Sequence, residues 1–192
     1  MAERTIYQRG TDRFRYERRR LRTRRYLRRA FSSYGPDAAI FGTVRLVVDG
    51  TATVGEHFVV MAEDAKTTIK VAPGATLTMG DHVAMNAGVC IEAWHDVQIG
   101  SHVLLAPYVF LIDDDRHDLE PGSVRYRGPV IIGNNVWVGR NVTVLPGATI
   151  GDGSAIGANS VITGHIPAGT FAAGAPARVI RKLDLTEGWV RH

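Results

Sequence analysis

Cysteine is almost absent from these 192 residues: Cys90 stands alone, so no internal disulfide can form and nothing points to an oxidising compartment. The leader contains no apolar core of the kind a secretory signal needs. Long hydrophobic runs are missing too. The most apolar stretch, VLLAPYVFLI at 103–112, is far too short to span a bilayer and contains Pro107. A cytoplasmic location is the expectation that these absences leave.

What is present is ordinary for one globular domain with a proper core, with 45% hydrophobic and 22% charged residues. The net charge of +4 hides a split. Residues 1–31 carry twelve Arg against Glu3, Asp12 and Glu17, a balance of +9, and the remainder balances at −5. The chain is therefore a mildly acidic body behind a basic leader.

An aliphatic residue returns every six positions in the second half: Ile132, Val138, Val144, Ile150, Ile156 and Ile162. Shorter runs keep the same step upstream: Val48, Val54, Val60, then Met79, Met85, Ile91, then Ile99, Leu105, Leu111. The register slips by two residues near Trp94 to Gln98, where a small outward bulge is expected. Helices bury a stripe every 3.6 residues and strands alternate every two, so a strict six requires short strands joined by turns. Three hexapeptides close one triangular coil, and stacked coils align the aliphatic positions into interior columns. Gly and Asn in GNN (133–135) and GDG (151–153) suit corners that need positive φ. The fold expected is all-β, a parallel β-helix of about seven coils over residues 40–167.

The stretch PVIIGNNVWVGRNVTVLPGATIGDGSAIGANSVITGHIPAGTFAAGAPARVIRKL, 129–183, resembles the hexapeptide-repeat acyltransferases, and within them the maltose, galactoside and capsular-polysaccharide O-acetyltransferases. The resemblance extends more loosely back to about residue 75. It implies a left-handed β-helix, acetyl-CoA as acyl donor, a homotrimer with sites between adjacent β-helices, and no metal ion. Three parts follow: a basic helical segment at 1–35, the β-helix at 36–170 with a protruding loop at 112–129, and a CoA-binding tail at 171–192.

Leu111 and Ile132 are 21 residues apart, not a multiple of six, so the chain must leave the helix there and return. On that excursion His117 sits among Asp113, Asp114, Asp115, Asp118 and Glu120. By resemblance, RHDLEPG holds the place of the motif that carries the family's general base. The chemistry requires one: an alcohol is a poor nucleophile at neutral pH, and imidazole has a suitable pKa to take its proton as it attacks a thioester. Carboxylates nearby could orient the ring, yet they also favour the imidazolium, which cannot act as base.

The remaining site residues rest on the resemblance. Asn86, in MNAGVCIEAWHDVQIG, matches an asparagine that contacts the acceptor hydroxyl, although a turn residue would read the same way. Trp137 and Gly139 match the pantetheine-facing edge, with a backbone N–H at Gly139 or Arg140 as oxyanion donor. Ala158 and Thr163 match positions lining the CoA arm. Arg178, Arg181 and Lys182 match basic residues set against the CoA phosphates. The chain also departs from the family: Trp94 and His95 replace acidic residues of the sugar enzymes, Arg140 replaces a serine, and Gly164 stands where lysine is common.

In the leader, Phe14, Leu21, Leu27 and Phe31 are spaced for a helix over 11–31, ended by SSYGP. It could pack on the trimer, lie near an anionic membrane or meet nucleic acid; packing with membrane-surface proximity ranks first, and no nucleic acid is expected. The function expected is acetyl-CoA-dependent O-acetylation of a sugar or polysaccharide precursor. The alternatives are N-acetylation of an amino or nucleotide sugar and a non-catalytic scaffold. A zinc carbonic anhydrase on this fold needs a close histidine pair four residues apart, and His95, His102 and His117 do not supply one.

Overall fold

The protein is described by a computed structural model covering residues 23–118 and 120–191. Its strands begin with β1 (Ser33–Tyr34), β2 (Ala39–Val48), β3 (Thr51–Val54), β4 (Val59–Val71), β5 (Thr76–Met79) and β6 (Ala84–Met85). Next come β7 (Cys90–Ala93), β8 (Asp96–Ile99), β9 (Leu104–Leu105), β10 (Phe110–Ile112), β11 (Val130–Ile132), β12 (Trp137–Val138) and β13 (Thr143–Val144). The last are β14 (Thr149–Ile150), β15 (Ala155–Ile156), β16 (Val161–Ile162), β17 (His165–Ile166), β18 (Thr170–Gly174) and β19 (Ala177–Lys182).

These strands stack into the walls of a left-handed parallel β-helix. One wall runs β1-β3-β5-β8-β11-β14-β17. The other two walls form a continuous sheet because β4 rounds a corner within its length: Val59 and Val60 pair with β6, whereas Thr68–Val71 pair with β7. Among the strands of the described residues only β19 runs antiparallel, folding back on β18.

The hexad columns are the core. Ile132 stacks beside Ile150, Val138 beside Ile156 and Val144 beside Ile162, each step being an eighteen-residue coil. All six are essentially inaccessible, and burying each such side chain stabilises by about 2 kcal/mol. Upstream the coil is two residues longer: Met79 pairs with Ile99, Met85 with Leu105 and Ile91 with Leu111. Those two residues enter a corner at Trp94–His95, and β8 keeps regular register with β5 and β11. The outward bulge expected there is thus a wider corner, not a distorted strand.

Residues 23–27 are helical. Leu27 and Phe31 point into the core, with Phe31 tilted against Phe58 at 6.5 Å, so this segment closes the end of the apolar interior. SSYGP does more than stop a helix, because Ser33–Tyr34 form β1 and pair with Thr53–Val54. Phe14 and Leu21 lie outside the described residues. Among the described residues no helix is long and apolar enough to cross a membrane.

Candidate active site

The chain leaves the β-helix after Ile112, and its first two residues tie the departing loop down. Asp113 is fully buried, and its carboxylate accepts the backbone amides of Trp94 (2.7 Å), His95 (2.8 Å) and Asp96 (2.6 Å). Three successive N–H groups at the widened corner would otherwise be unpaired, which is costly for buried backbone. The returning arm is held as well: Gly128 donates to the Asp113 carbonyl, Asp115 to the Tyr126 carbonyl, and Asp114 bridges Arg127.

Asp114 is buried too and faces the other way along the corner. Its Oδ2 lies 2.8 Å from His95 Nε2, and its Oδ1 accepts the Arg116 amide at 2.7 Å and lies 3.2 Å from Arg125 Nε. Burial alone would raise this carboxyl, but the bonds from His95 and the Arg116 amide, with the charges of Arg125 and His95, outweigh it and hold the group below the usual carboxylate range. His95 itself remains nearly half exposed, at 44%. An imidazole with one nitrogen fixed by a carboxylate and its ring open to solvent is equipped to transfer protons.

Beside it, the Trp94 ring carries Lys70 Nζ at 4.1 Å and the Arg116 guanidinium at 3.5 Å, while its Nε1 donates to Glu92 at 3.3 Å. Cations over an indole face are attracted to its quadrupole. Trp94 and His95, which the resemblance marks as departures from the sugar enzymes, are therefore heavily supported side chains at this corner.

His117 lies farther out on the loop, exposed, and forms no hydrogen bond or ion pair with the described residues of its own chain. Of its five neighbouring acids, Asp113 and Asp114 are committed to the corner below. The carboxylate expected to orient His117 orients His95 instead. Asn86 occupies the corner after β6, half-buried, with Nδ2 3.4 Å from the Leu105 carbonyl and its own carbonyl accepting from Thr67 Oγ1 at 3.0 Å. No hydrogen bond joins Asn86 to His117.

On the donor side, Trp137 is exposed on β12 between Leu104 and Ala155 of the neighbouring coils. The Gly139 amide is already spent on the Ile156 carbonyl at 2.9 Å, which removes it as an oxyanion donor. The Arg140 amide makes no bond to a described residue, and the Arg140 guanidinium sits 4.9 Å from the Tyr108 ring. Ala158 is exposed one coil on, where Asn159 donates to the Arg140 carbonyl. Trp137, Gly139, Arg140 and Ala158 thus line one corner and its approach. Thr163, exposed after β16, belongs to the next corner. Arg178, Arg181 and Lys182 are exposed on β19, where the Arg178 guanidinium donates to the Ala177 carbonyl at 2.9 Å and that of Arg181 to the Lys182 carbonyl at 3.2 Å.

A second cluster escaped the sequence reading. Donor atoms of Glu56, His57 and His82 all lie within 4.8 Å of one another. The signal was available: EHFVV, DHVAM and SHVLL place His57, His82 and His102 at one position of three successive coils. Spacing along the chain directs attention to His95, His102 and His117, whereas the coil spacing is what brings rings together.

Residues 129–164 match the family described as bacterial transferase hexapeptide (six repeats). The chain is 38% identical over 142 residues to the galactoside O-acetyltransferase of Escherichia coli strain K12, covering 72% of this chain and 68% of that protein. A solved galactoside acetyltransferase in complex with coenzyme A superposes with a TM-score of 0.58 at 31% identity, over 85% of this chain and 72% of the other. A maltose O-acetyltransferase from Clostridium difficile 630 gives a TM-score of 0.54 at 30% identity, over 83% and 73%.

Proposed function

The chain belongs to the hexapeptide-repeat acetyltransferases that take their acyl group from acetyl-CoA, and we propose that it transfers this group to a hydroxyl of a sugar or polysaccharide precursor. The observation that carries the reading is the 38% identity to a galactoside O-acetyltransferase, sustained over most of both chains. N-acetylation of an amino sugar is the nearest rival.

In the mechanism proposed, His117 accepts the acceptor's proton while the acceptor oxygen attacks the thioester carbonyl. The C–S bond then breaks and CoA leaves as the thiol, taking up a proton. The exposed position of His117 on a loop anchored at both arms suits a base that completes its site against a neighbouring protomer, as a homotrimer would provide. Asn86 would meet the acceptor hydroxyl. The Arg140 amide would receive the charge developing on the thioester oxygen. Trp137, Ala158 and Thr163 would line the pantetheine path, with Arg178, Arg181 and Lys182 against the phosphates.

A second reading takes the base from His95, because the 2.8 Å contact with Asp114 gives that ring the fixed orientation His117 lacks within one chain. Thiol release from acetyl-CoA, followed across a panel of oligosaccharides, nucleotide sugars and amino sugars, tests the acceptor class. Release with hydroxyl-only sugars is expected. Release confined to amino sugars would establish the rival, and none with any acceptor would overturn the proposal.

A further inference from the structure

At one corner of the β-helix the coils stack Asp37, His57, His82, His102, Asn135, Gly153 and Gly169 in a column. Each has φ between +55° and +70°, and each amide from His57 onward donates to a carbonyl of the preceding coil. Asp, Asn, His and Gly are the types that tolerate this left-handed backbone. Three consecutive histidines nevertheless go beyond what the turn needs, since Asn135 and Gly153 serve equally well. Their rings stack: His57 on His82 at 4.5 Å and 18°, His82 on His102 at 4.5 Å and 8°. The C-terminal segment meets the column at Asn135, where Asn135 Nδ2 donates to the Trp189 carbonyl and Arg191 N to Asn135 Oδ1. This corner is separate from those carrying Asn86 and the loop.

We propose that Glu56, His57 and His82 form a surface site for a borderline-soft divalent cation such as zinc, joining two successive coils. The observation is the convergence of one carboxylate and two imidazole donors within 4.8 Å. Two ring nitrogens and one carboxylate oxygen suit zinc, nickel or copper, whereas calcium and magnesium seek all-oxygen shells. The scaffold supplies the preorganisation. Neighbouring parallel strands sit about 4.8 Å apart, so the two histidines cannot separate unless the coils do. Two nitrogen ligands of a tetrahedral zinc lie roughly 3.3 Å apart given its bond lengths. The nearly parallel rings must therefore swing towards each other, and His82 is exposed and His57 43% exposed, so both have room. Asp37 Oδ2, 3.8 Å from His57 Nδ1, stands where it can orient that ring or complete the shell. Such an ion is a staple near the start of the helix, with no part in acyl transfer.

Zinc titrated calorimetrically into the full, untagged, chelator-treated chain tests this. His57→Asn, His82→Asn and His102→Asn keep a residue that Asn135 shows is accepted at this backbone position. Binding weakened more than about tenfold in the first two, at least the loss expected for an outer-shell partner, and unchanged in His102→Asn, is expected. The zinc-dependent rise in Tm should vanish in the same two variants, while thiol release by His57→Asn stays at the wild-type rate. Wild-type zinc affinity in the His57→Asn, His82→Asn double variant, or no zinc binding by the wild type, would overturn the site.

Discussion

Asp113 and Asp114 are neighbours with the same burial, yet one holds backbone and the other holds side chains. Asp113 gathers three amides, so its loss would undo the corner itself. Asp114 fixes His95 and Arg125, and its carboxyl is held below the ordinary range by those partners. A depressed folded-state pKa contributes stability above the unfolded value, about 3.9, and that contribution fades as pH falls through the lowered value. Asp114→Asn should therefore melt below the wild type at pH 6, with the gap closing below about pH 4, as thermal melts across that range would record. An unchanging gap would mean that the ion pairs contribute nothing. The sequence placed five acids around His117 but could not say which histidine an acid meets. His95 and Asp114 are nineteen residues apart, close to one coil of twenty, and only the upstream coil length reveals that they share a corner.

Single elements here are too short to be stable alone, with strands of two residues such as β12 or β15, so each depends on the coil above and below. Gly139 shows how tight that stacking is: a Cβ there would stand 2.5 Å from the Ile156 carbonyl oxygen and 2.9 Å from the Ala158 amide nitrogen. Both obstacles are backbone and cannot swing away. Gly139→Ala should cost about 2 kcal/mol or more, the scale of an overpacked core, read as a lower urea midpoint; an unchanged midpoint would show that the coils can spread. The columns from Met79 to Ile162 were legible because one inward side chain per six residues leaves a period that no helix or flat strand produces. The long strands β2 and β4 were not. They run ten and thirteen residues, and β4 spans a corner without a turn signal. Corner bonds such as Glu56 N to Asp81 Oδ1 and Ser101 N to Asn134 Oδ1 explain the polar residues before each corner, which the sequence showed only as composition.

At the scale of the molecule, a rigid apolar prism supports one anchored loop, a strip of small residues beside Trp137, and a basic hairpin at the end of the helix. The fold was readable because its inward aliphatic residues recur with the repeat, and the acetyl-CoA donor followed from the resemblance carried by residues 129–183. The acceptor side was not readable, because it depends on loop residues that follow no period, and the proposed homotrimer would add surfaces that lie outside one chain. The most direct measurement is the steady-state turnover of purified His117→Ala and His95→Ala proteins with acetyl-CoA and an accepted sugar. For His117→Ala a fall of at least about 10² in kcat, the usual scale for one acid/base group, with an unchanged melting temperature is expected. Near-normal turnover in His117→Ala, with the loss appearing in His95→Ala instead, would contradict the assignment and move the base to the His95–Asp114 pair.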